Sequence, residues 1–475
     1  MMSNIEIHTL AKEGLIPLLT KPLHLFAELY KLLDPQFGVL SNSLYTDEHA
    51  RERFGDLSDF FLQRFGKVYA SKSNRRLLEG VKQVLINSDD NNVLCLSLFK
   101  GLADYLVLYK KGTLKLLTPV KIEGYVITAK PPNPIYDAGA APVREYYGTG
   151  FHDLTDIFKY ISIIKETNLH IHLIKNDKLK KTGTYLKYRL KKGLKVAVTP
   201  FKGDITFEFD SRLKKWPGNE KTPYWFKKIE NIEAAKTWLI EKVLQPCVEK
   251  EVDILVLPEL TVDEKLIVFF KDWLKTNNRE RVSSGNGGLL LVAAGTFHFL
   301  GQDKKRLNVA TVLNHAGEVV WMQNKIKRFS LDASDIKKKP DLKELLKISS
   351  AGGCECIDET DTICCADTPV GRISVCICID FFHREHLEAY RQSGINIFLV
   401  PAMTPRNIRF LKTAGLLAGN NLAAAFVSNS GYAAKKENSS IHKDGASFYF
   451  LPRKGERGVF AVGEDSDLLI FDMKS

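Results

Sequence analysis

Residues 373–380 read Ile-Ser-Val-Cys-Ile-Cys-Ile-Asp, and Phe-Phe-His-Arg-Glu follows at 381–385. The run stays apolar up to Cys378 and then turns aromatic and polar. An α/β scaffold displays reactive groups in this way, because its strand ends deliver side chains into a crevice. Two upstream stretches repeat the arrangement. Val256-Leu-Pro-Glu259-Leu presents a carboxylate, and Asn324-Lys325-Ile-Lys327 presents an ammonium, each just after a short β-rich run. Glu, Lys and Cys in that order make up the chemistry-bearing set of the chain.

The neighbouring pattern sets these three residues in a series of alternating elements. Lys195–Thr199, Asp253–Leu257, Leu289–Ala294, Ile373–Ile379, Ile395–Val400 and Ala424–Ser428 read as strands. The unbroken apolar stretch Ile254–Leu257, after Asp253, marks a strand covered on both faces. Asn308–Leu313, turning at His315-Ala-Gly317 and returning through Val319–Met322, reads as a hairpin that ends at Lys325. Helices are predicted at 231–248, 261–275, 385–393 and 411–422 from apolar positions three and four apart. Alternation of this kind indicates an α/β domain.

At 475 residues the chain exceeds one small core, so two domains are expected. The boundary is placed near residues 190–193, with an N-terminal domain of unknown function over 1–190. Residues 1 to about 90 read as helical, from a leucine stripe (Leu15 to Leu33) and a phenylalanine stripe (Phe54 to Phe65). Val93–Leu98 and Tyr105–Tyr109 read as strands, with a turn at Lys111-Gly112. Glu6, Lys12 and Glu13 interrupt what would be the apolar core of a signal peptide, and no apolar stretch approaches the ~20 residues that span a bilayer. A cytoplasmic protein with no membrane contact is expected.

The eight cysteines are expected to be reduced. Cys354-Glu-Cys356 and Cys364-Cys365 raise a metal site, but adjacent cysteines on a strand point to opposite faces, and apolar strand positions are the simpler reading. His170 and His172 would share one strand face, with no third ligand nearby. No metal and no cofactor are expected. The formal net charge is +12, and residues 175–195 carry nine Lys or Arg against Asp177 alone. Lys180, Lys181, Lys187, Arg189, Lys191 and Lys192, with Tyr185 and Tyr188 among them, suit contact with a nucleic acid; a solvated surface, the usual fate of a charge run, is the simpler reading.

These fragments, taken in order, resemble the carbon–nitrogen hydrolase (nitrilase) superfamily over residues 193–475. The resemblance is carried by Lys195-Val-Ala-Val, Leu257-Pro-Glu259, Leu307-Asn308, Gly317-Glu318, Lys325-Ile326, Gly371–Asp380, Leu399-Val-Pro401, Asn420-Asn421, Asn429-Ser-Gly431 and Gly445-Ala-Ser447. It implies a four-layer α-β-β-α sandwich, commonly dimerised, preceded here by the separate, largely helical N-terminal region. Ile379, where relatives commonly show Tyr or Trp, and Arg384, where Pro is frequent, depart from the family pattern and flank the pocket.

The resemblance implies Cys378 as nucleophile, Glu259 as general base and acid, and Lys325 as the oxyanion partner, with the Ile379 N–H as a second donor. Lys327 competes with Lys325, and Cys376 with Cys378. Many relatives add a second Glu between the Lys and the Cys; Glu344 is the candidate here. Cys378-Ile-Asp380 is nearer the amidase than the nitrile-hydrolysing side, so a small amide or ureido C–N bond is the expected substrate. Two other readings stay open. One is acyl or ammonia transfer. The other is a nucleic-acid-binding or defence-associated protein with an inactive or regulatory hydrolase-like domain, binding its nucleic-acid or protein partner through the N-terminal region.

Overall fold

The computed structural model describes, in the first part of the chain, Leu29 and residues 48–70, 97–102, 120–122, 125–129 and 161–165. In the second part it describes 169–201, 205–210, 221–301, 303–338, 343, 346–404, 407–421, 423–430, 447–453, 456–462 and 467–473. The chain divides into two compact units, residues 1–130 with 141–166, and 131–140 with 167–475.

In the first unit, helix α1 (Glu48–Ala70) buries Phe54, Ser58 and Phe61. Residues 97–102 are helical, where the pattern of 93–98 predicts a strand. Leu98, Phe99 and Leu102 are all buried, at a spacing that one helical turn gathers onto one side. Gly101 permits the close approach, since a Cβ there would meet Phe61 Cβ at 2.7 Å. Strands β1 (Val120–Ile122), β2 (Tyr125–Ala129) and β3 (Ile161–Lys165) form an antiparallel sheet in that order. The expected turn at Lys111-Gly112 and, apart from Leu29, the leucine stripe lie outside the described residues.

The second unit is built on two large sheets. One has the order β12 (Val319–Asn324), β11 (Arg306–Asn314), β10 (Leu291–Leu300), β9 (Ile254–Val256), β5 (Leu194–Val198), β21 (Leu469–Met473). The other has the order β20 (Glu456–Val462), β19 (Phe448–Arg453), β18 (Ala424–Asn429), β17 (Ile397–Ala402), β16 (Gly371–Val375), β15 (Thr362–Thr368), β4 (His170–Ile174). Side-chain alternation explains why the central strands read as continuously apolar. Ile254, Val256, Leu291 and Ala293 pack in one core with Val375, Leu399, Ala425 and Val427 of the facing sheet. Leu255, Leu257, Val292 and Ala294 pack in another with Leu239, Val243, Leu266 and Phe270.

Those last four side chains come from the helical stretches around α3 (Ile232–Leu239) and α4 (Glu264–Trp273), which form the outer layer on the first sheet. On the second sheet, Phe398 meets Phe381 and Tyr390, the latter from α5 (Arg384–Gln392), while α6 (Ile408–Asn421) adds Phe410 and Leu417 to the core. The layers therefore run helix, sheet, sheet, helix.

The second unit starts earlier than the boundary expected at 190–193. His170–Ile174 pairs in parallel with β15, His172 opposite Cys364. Helix α2 (Asp177–Leu190) follows, started by Asn176, whose side chain accepts from the Leu179 N–H. At its end Arg189 is ion-paired to Asp253 at 2.7 Å and to Glu251 at 3.2 Å. Both ties are made to sequence-distant partners, which a pass along the chain does not reveal. Among the described residues no helix is long and apolar enough to cross a membrane.

Candidate active site

Three strand ends converge from the two sheets. After β9 the chain turns at Glu259 and Leu260, and Leu260 takes a left-handed φ of 57°. The turn fits against an irregularity in β10, where the pairing with β11 shifts between Ala293 and Thr296. Gly295 stands there at φ 68°, and a Cβ on it would lie 2.5 Å from the Pro258 carbonyl. Thr296 Oγ1 accepts from the Leu260 N–H, and the Glu259 N–H donates to the Ala402 carbonyl of the opposite sheet at 3.3 Å. The Glu259 carboxylate is thus fixed between the sheets, 2% exposed.

Lys325 follows β12, its N–H donating to the Asn308 carbonyl at 2.7 Å. Its ammonium is equally buried and reaches two carboxylates, Glu259 Oε1 at 2.8 Å and Glu355 Oε2 at 2.6 Å. Asn308 Nδ2 donates to both acids, Glu259 at 3.1 Å and Glu355 at 2.8 Å. Glu355 closes β14 (Gly352–Glu355) and also accepts from His298 Nε2 at 3.1 Å and the Phe329 N–H at 3.0 Å. Burial opposes the Lys325 charge, but Glu259 and Glu355 outweigh it and hold the ammonium well above its ordinary range. Burial likewise works against ionised Glu355, yet the Lys325 charge and the His298 hydrogen bond hold its carboxyl well below the usual range.

Cys378 opens a short 3₁₀ turn, Cys378–Phe382, which follows β16 after Cys376 and Ile377. It has a left-handed φ of 50°, a conformation that L side chains adopt at a cost. The turn separates it from Cys376, which would otherwise share its strand face. Cys376 sits deep among apolar groups with its thiol pushed up to about 12 by burial. The charges of Glu259 and Lys325 both act on the buried Cys378 thiol. Burial first, then the Glu259 charge, raise it well above the ordinary thiol value, with Lys325 opposing. The thiol is therefore held in its neutral form.

Asp380 ties this turn to the lysine loop. Its two carboxylate oxygens accept the N–H groups of Ile326 at 2.8 Å and Lys327 at 2.9 Å. Its own carbonyl accepts from His386 Nδ1 and Tyr390 Oη, each at 2.9 Å. Burial raises the Asp380 carboxyl to about 7, against the pull of those two backbone N–H groups.

No protein-family model matches the chain, and no curated protein matches it in sequence. In structure the chain is similar to members of the nitrilase superfamily. Saccharomyces cerevisiae Nit3, of branch 10 of that superfamily, is 15% identical with a TM-score of 0.36, over 59% of this chain and 90% of its own. An amidase from Nesterenkonia sp. is 15% identical with a TM-score of 0.38, over 59% and 89%. The glutamine-dependent NAD+ synthetase of Acinetobacter baumannii is 15% identical with a TM-score of 0.37, over 58% of this chain, which spans only 45% of the synthetase. The chemistry rests on the side chains themselves.

The structure brings Glu259, Lys325 and Cys378 together, with the Ile379 N–H next to the sulfur in sequence. Lys327 points elsewhere, 29% exposed and facing Glu359 and Glu385. Glu344 lies outside the described residues. The second carboxylate found on Lys325 is Glu355, which sequence reasoning missed. Its signal was there, as a lone charge in the otherwise apolar run Cys354-Glu-Cys-Ile357, all four buried. Tyr224 was also missed; it is buried, and the charges of Glu355, Lys325 and Glu259 all act on its hydroxyl.

Of the basic set, Lys180, Lys181, Lys187, Lys191 and Lys192 are exposed along and just after α2. Arg189 is not available to a nucleic acid, because its guanidinium is consumed by Asp253 and Glu251. The cysteines raised as ligands sit in strands or beside them, Cys356 accepting from the Arg306 guanidinium at 3.4 Å. Among the described residues no group of three His, Cys, Asp or Glu could hold a metal ion.

Proposed function

We propose that the second unit hydrolyses a small amide or ureido C–N bond through a thioester on Cys378. The observation that carries this reading is the placing of one buried ammonium between two carboxylates, with a buried thiol on which the charges of Lys325 and Glu259 both act. An ammonium has three protons. Glu259 and Glu355 take two, and the third remains for a substrate oxygen.

In this scheme Glu259 accepts the thiol proton as sulfur attacks the carbonyl carbon. Moving the proton between neighbours avoids a free thiolate that burial disfavours. The C=O electrons pass to oxygen, where Lys325 and the Ile379 N–H hold the oxyanion. Collapse breaks the C–N bond, and Glu259 returns its proton to the departing amine. Glu259 next takes a proton from water attacking the thioester, and acid release restores the thiol. Glu355 neither attacks nor transfers a proton; it holds the ammonium in place. Cys378 is 5% exposed, which favours small substrates.

The test is a panel of small linear amides and ureido compounds, with amine and acid release measured for the wild type, Cys378→Ala and Glu259→Gln. Release by the wild type alone supports the proposal. An inert wild type, or an active Cys378→Ala, overturns it. An added acceptor amine that diverts the acyl group without changing amine release would mark transfer instead.

A further inference from the structure

We infer that His298 is a positioning residue of this site, a neutral imidazole fixed as the Nε2–H tautomer that sets Glu355 and, through it, the lysine ammonium. The inference rests on the proposed hydrolase chemistry. His298 lies on β10 directly opposite Asn308 of β11, and neither the composition of β10 nor the motifs of the sequence single it out.

The tautomer follows from its two partners. Nδ1 lies 2.9 Å from the Phe226 N–H, which can only donate, so Nδ1 carries a lone pair. Nε2 lies 3.1 Å from Glu355 Oε1, a carboxylate oxygen, so Nε2 carries the proton. The ring plane is fixed as well. Trp225 stacks on it at 4.4 Å between centroids and 19° between planes, and Arg306 covers Trp225 at 5.9 Å. The imidazole side chain itself is 0% exposed.

Its purpose follows from the acceptor count on Glu355. Oε1 receives His298 and Asn308, and Oε2 receives Lys325 and the Phe329 N–H. Asn308 is shared with Glu259, so it cannot alone fix how Glu355 is turned. His298 holds Oε1 from a rigid stack and thereby directs Oε2 at Lys325. Without it the carboxylate can rotate about its last torsion, and the ammonium loses its defined direction toward the substrate oxygen. Partners that orient metal ligands from an outer shell typically affect activity ~10–100-fold, and the same scale is expected for His298 acting through Glu355.

The experiment compares wild type, His298→Ala, His298→Gln and Cys378→Ala for turnover of an amide found in the panel above, and for labelling of Cys378 by iodoacetamide. The expected result is a fall of ~10–100-fold in kcat for His298→Ala with KM within ~3-fold. His298→Gln, whose amide can still donate to Glu355, should recover to within ~5-fold of wild type. Equal loss in both variants, or kcat unchanged in His298→Ala, overturns the inference while leaving the hydrolase reading intact. An inert wild type overturns the hydrolase reading instead. Should the variants not fold, 15N-histidine NMR of the wild-type chain still decides on the tautomer. A buried imidazole protonated at Nε2, with Nδ1 bare, is required, and a Nδ1–H or doubly protonated ring at that site overturns the assignment.

Discussion

Replacing Glu355 by Gln separates the acid that the structure places on Lys325 from Glu344, the acid the sequence suggests. Four donors converge on Glu355, two on each oxygen. A glutamine of the same shape keeps one oxygen and turns the other into an NH2 group facing two donors. Each buried donor left without an acceptor costs ~1–3 kcal/mol, so two cost ~2–6 kcal/mol. The same loss seen as a broken buried ion pair is ~3–5 kcal/mol. Both routes meet near ~4 kcal/mol, which for a domain of this size class is a fall of roughly 10 °C in melting temperature. The ammonium is also misdirected, so kcat should fall by ~100-fold or more, the loss expected for an oxyanion donor. Differential scanning fluorimetry and steady-state kinetics on Glu355→Gln and Glu344→Gln measure both effects. Glu344→Gln should stay within ~0.5 kcal/mol and ~2-fold of wild type. A harmless Glu355→Gln beside a crippled Glu344→Gln would refute the reasoning.

Other expectations bear on the same frame. Asp380 has its carboxyl raised by burial to about 7 in the fold, so the folded state holds that proton more tightly than the unfolded chain does. The stability this lends is complete below pH ~4 and is lost as pH rises toward 7. Urea midpoints at pH 5 and 8 should therefore move against wild type relative to Asp380→Asn as pH rises; a difference independent of pH would contradict this. Turnover should rise through pH ~7, because the ionised carboxylate best accepts the Ile326 and Lys327 N–H groups. Gly295→Ala forces a Cβ to 2.5 Å from the Pro258 carbonyl at φ 68°, and should cost ~1–3 kcal/mol and lower kcat by moving Glu259. Urea unfolding and kinetics together check it. Arg189→Ala leaves Asp253 buried without its charge partner and should cost ~3–5 kcal/mol in urea unfolding, with kcat of the remaining folded protein unchanged.

What could be read in advance was whatever a strand or helix writes in its own residues. The runs at 253–257, 373–379 and 424–428 are mostly apolar because both faces are covered, and Ile254–Val256, Gly371–Val375 and Ala424–Asn429 are strands, the second ending short of Cys376. The strand ends carrying Glu259, Lys325 and Cys378 stood out because each breaks such a run with a polar group. Partners supplied by distant segments were not legible. His170–Ile174 finds β15, and Leu469–Met473 finds β5, through backbone pairing that leaves no local mark. What Glu355 does is not marked by its sequence position, because its ties to Lys325, Asn308 and His298 are made to distant segments, whereas the family spacing points to Glu344. Ser97 and Leu98, read as the end of a strand, are helical because a short apolar run suits a packed helix equally well. Cys376 competes with Cys378 in sequence, where the following Ile-Asp favours Cys378, and in the structure the backbone turns at Cys378.

The central claim is that one sulfur forms the acyl intermediate. Its most direct test is mass spectrometry of the protein quenched in acid during turnover of an activated acyl substrate, followed by peptide mapping. The account predicts a single acyl adduct on Cys378, absent in Cys378→Ala and retained in Cys376→Ala. An adduct on Cys376, or acid release with no adduct on any cysteine and unaffected by Cys378→Ala, would contradict it.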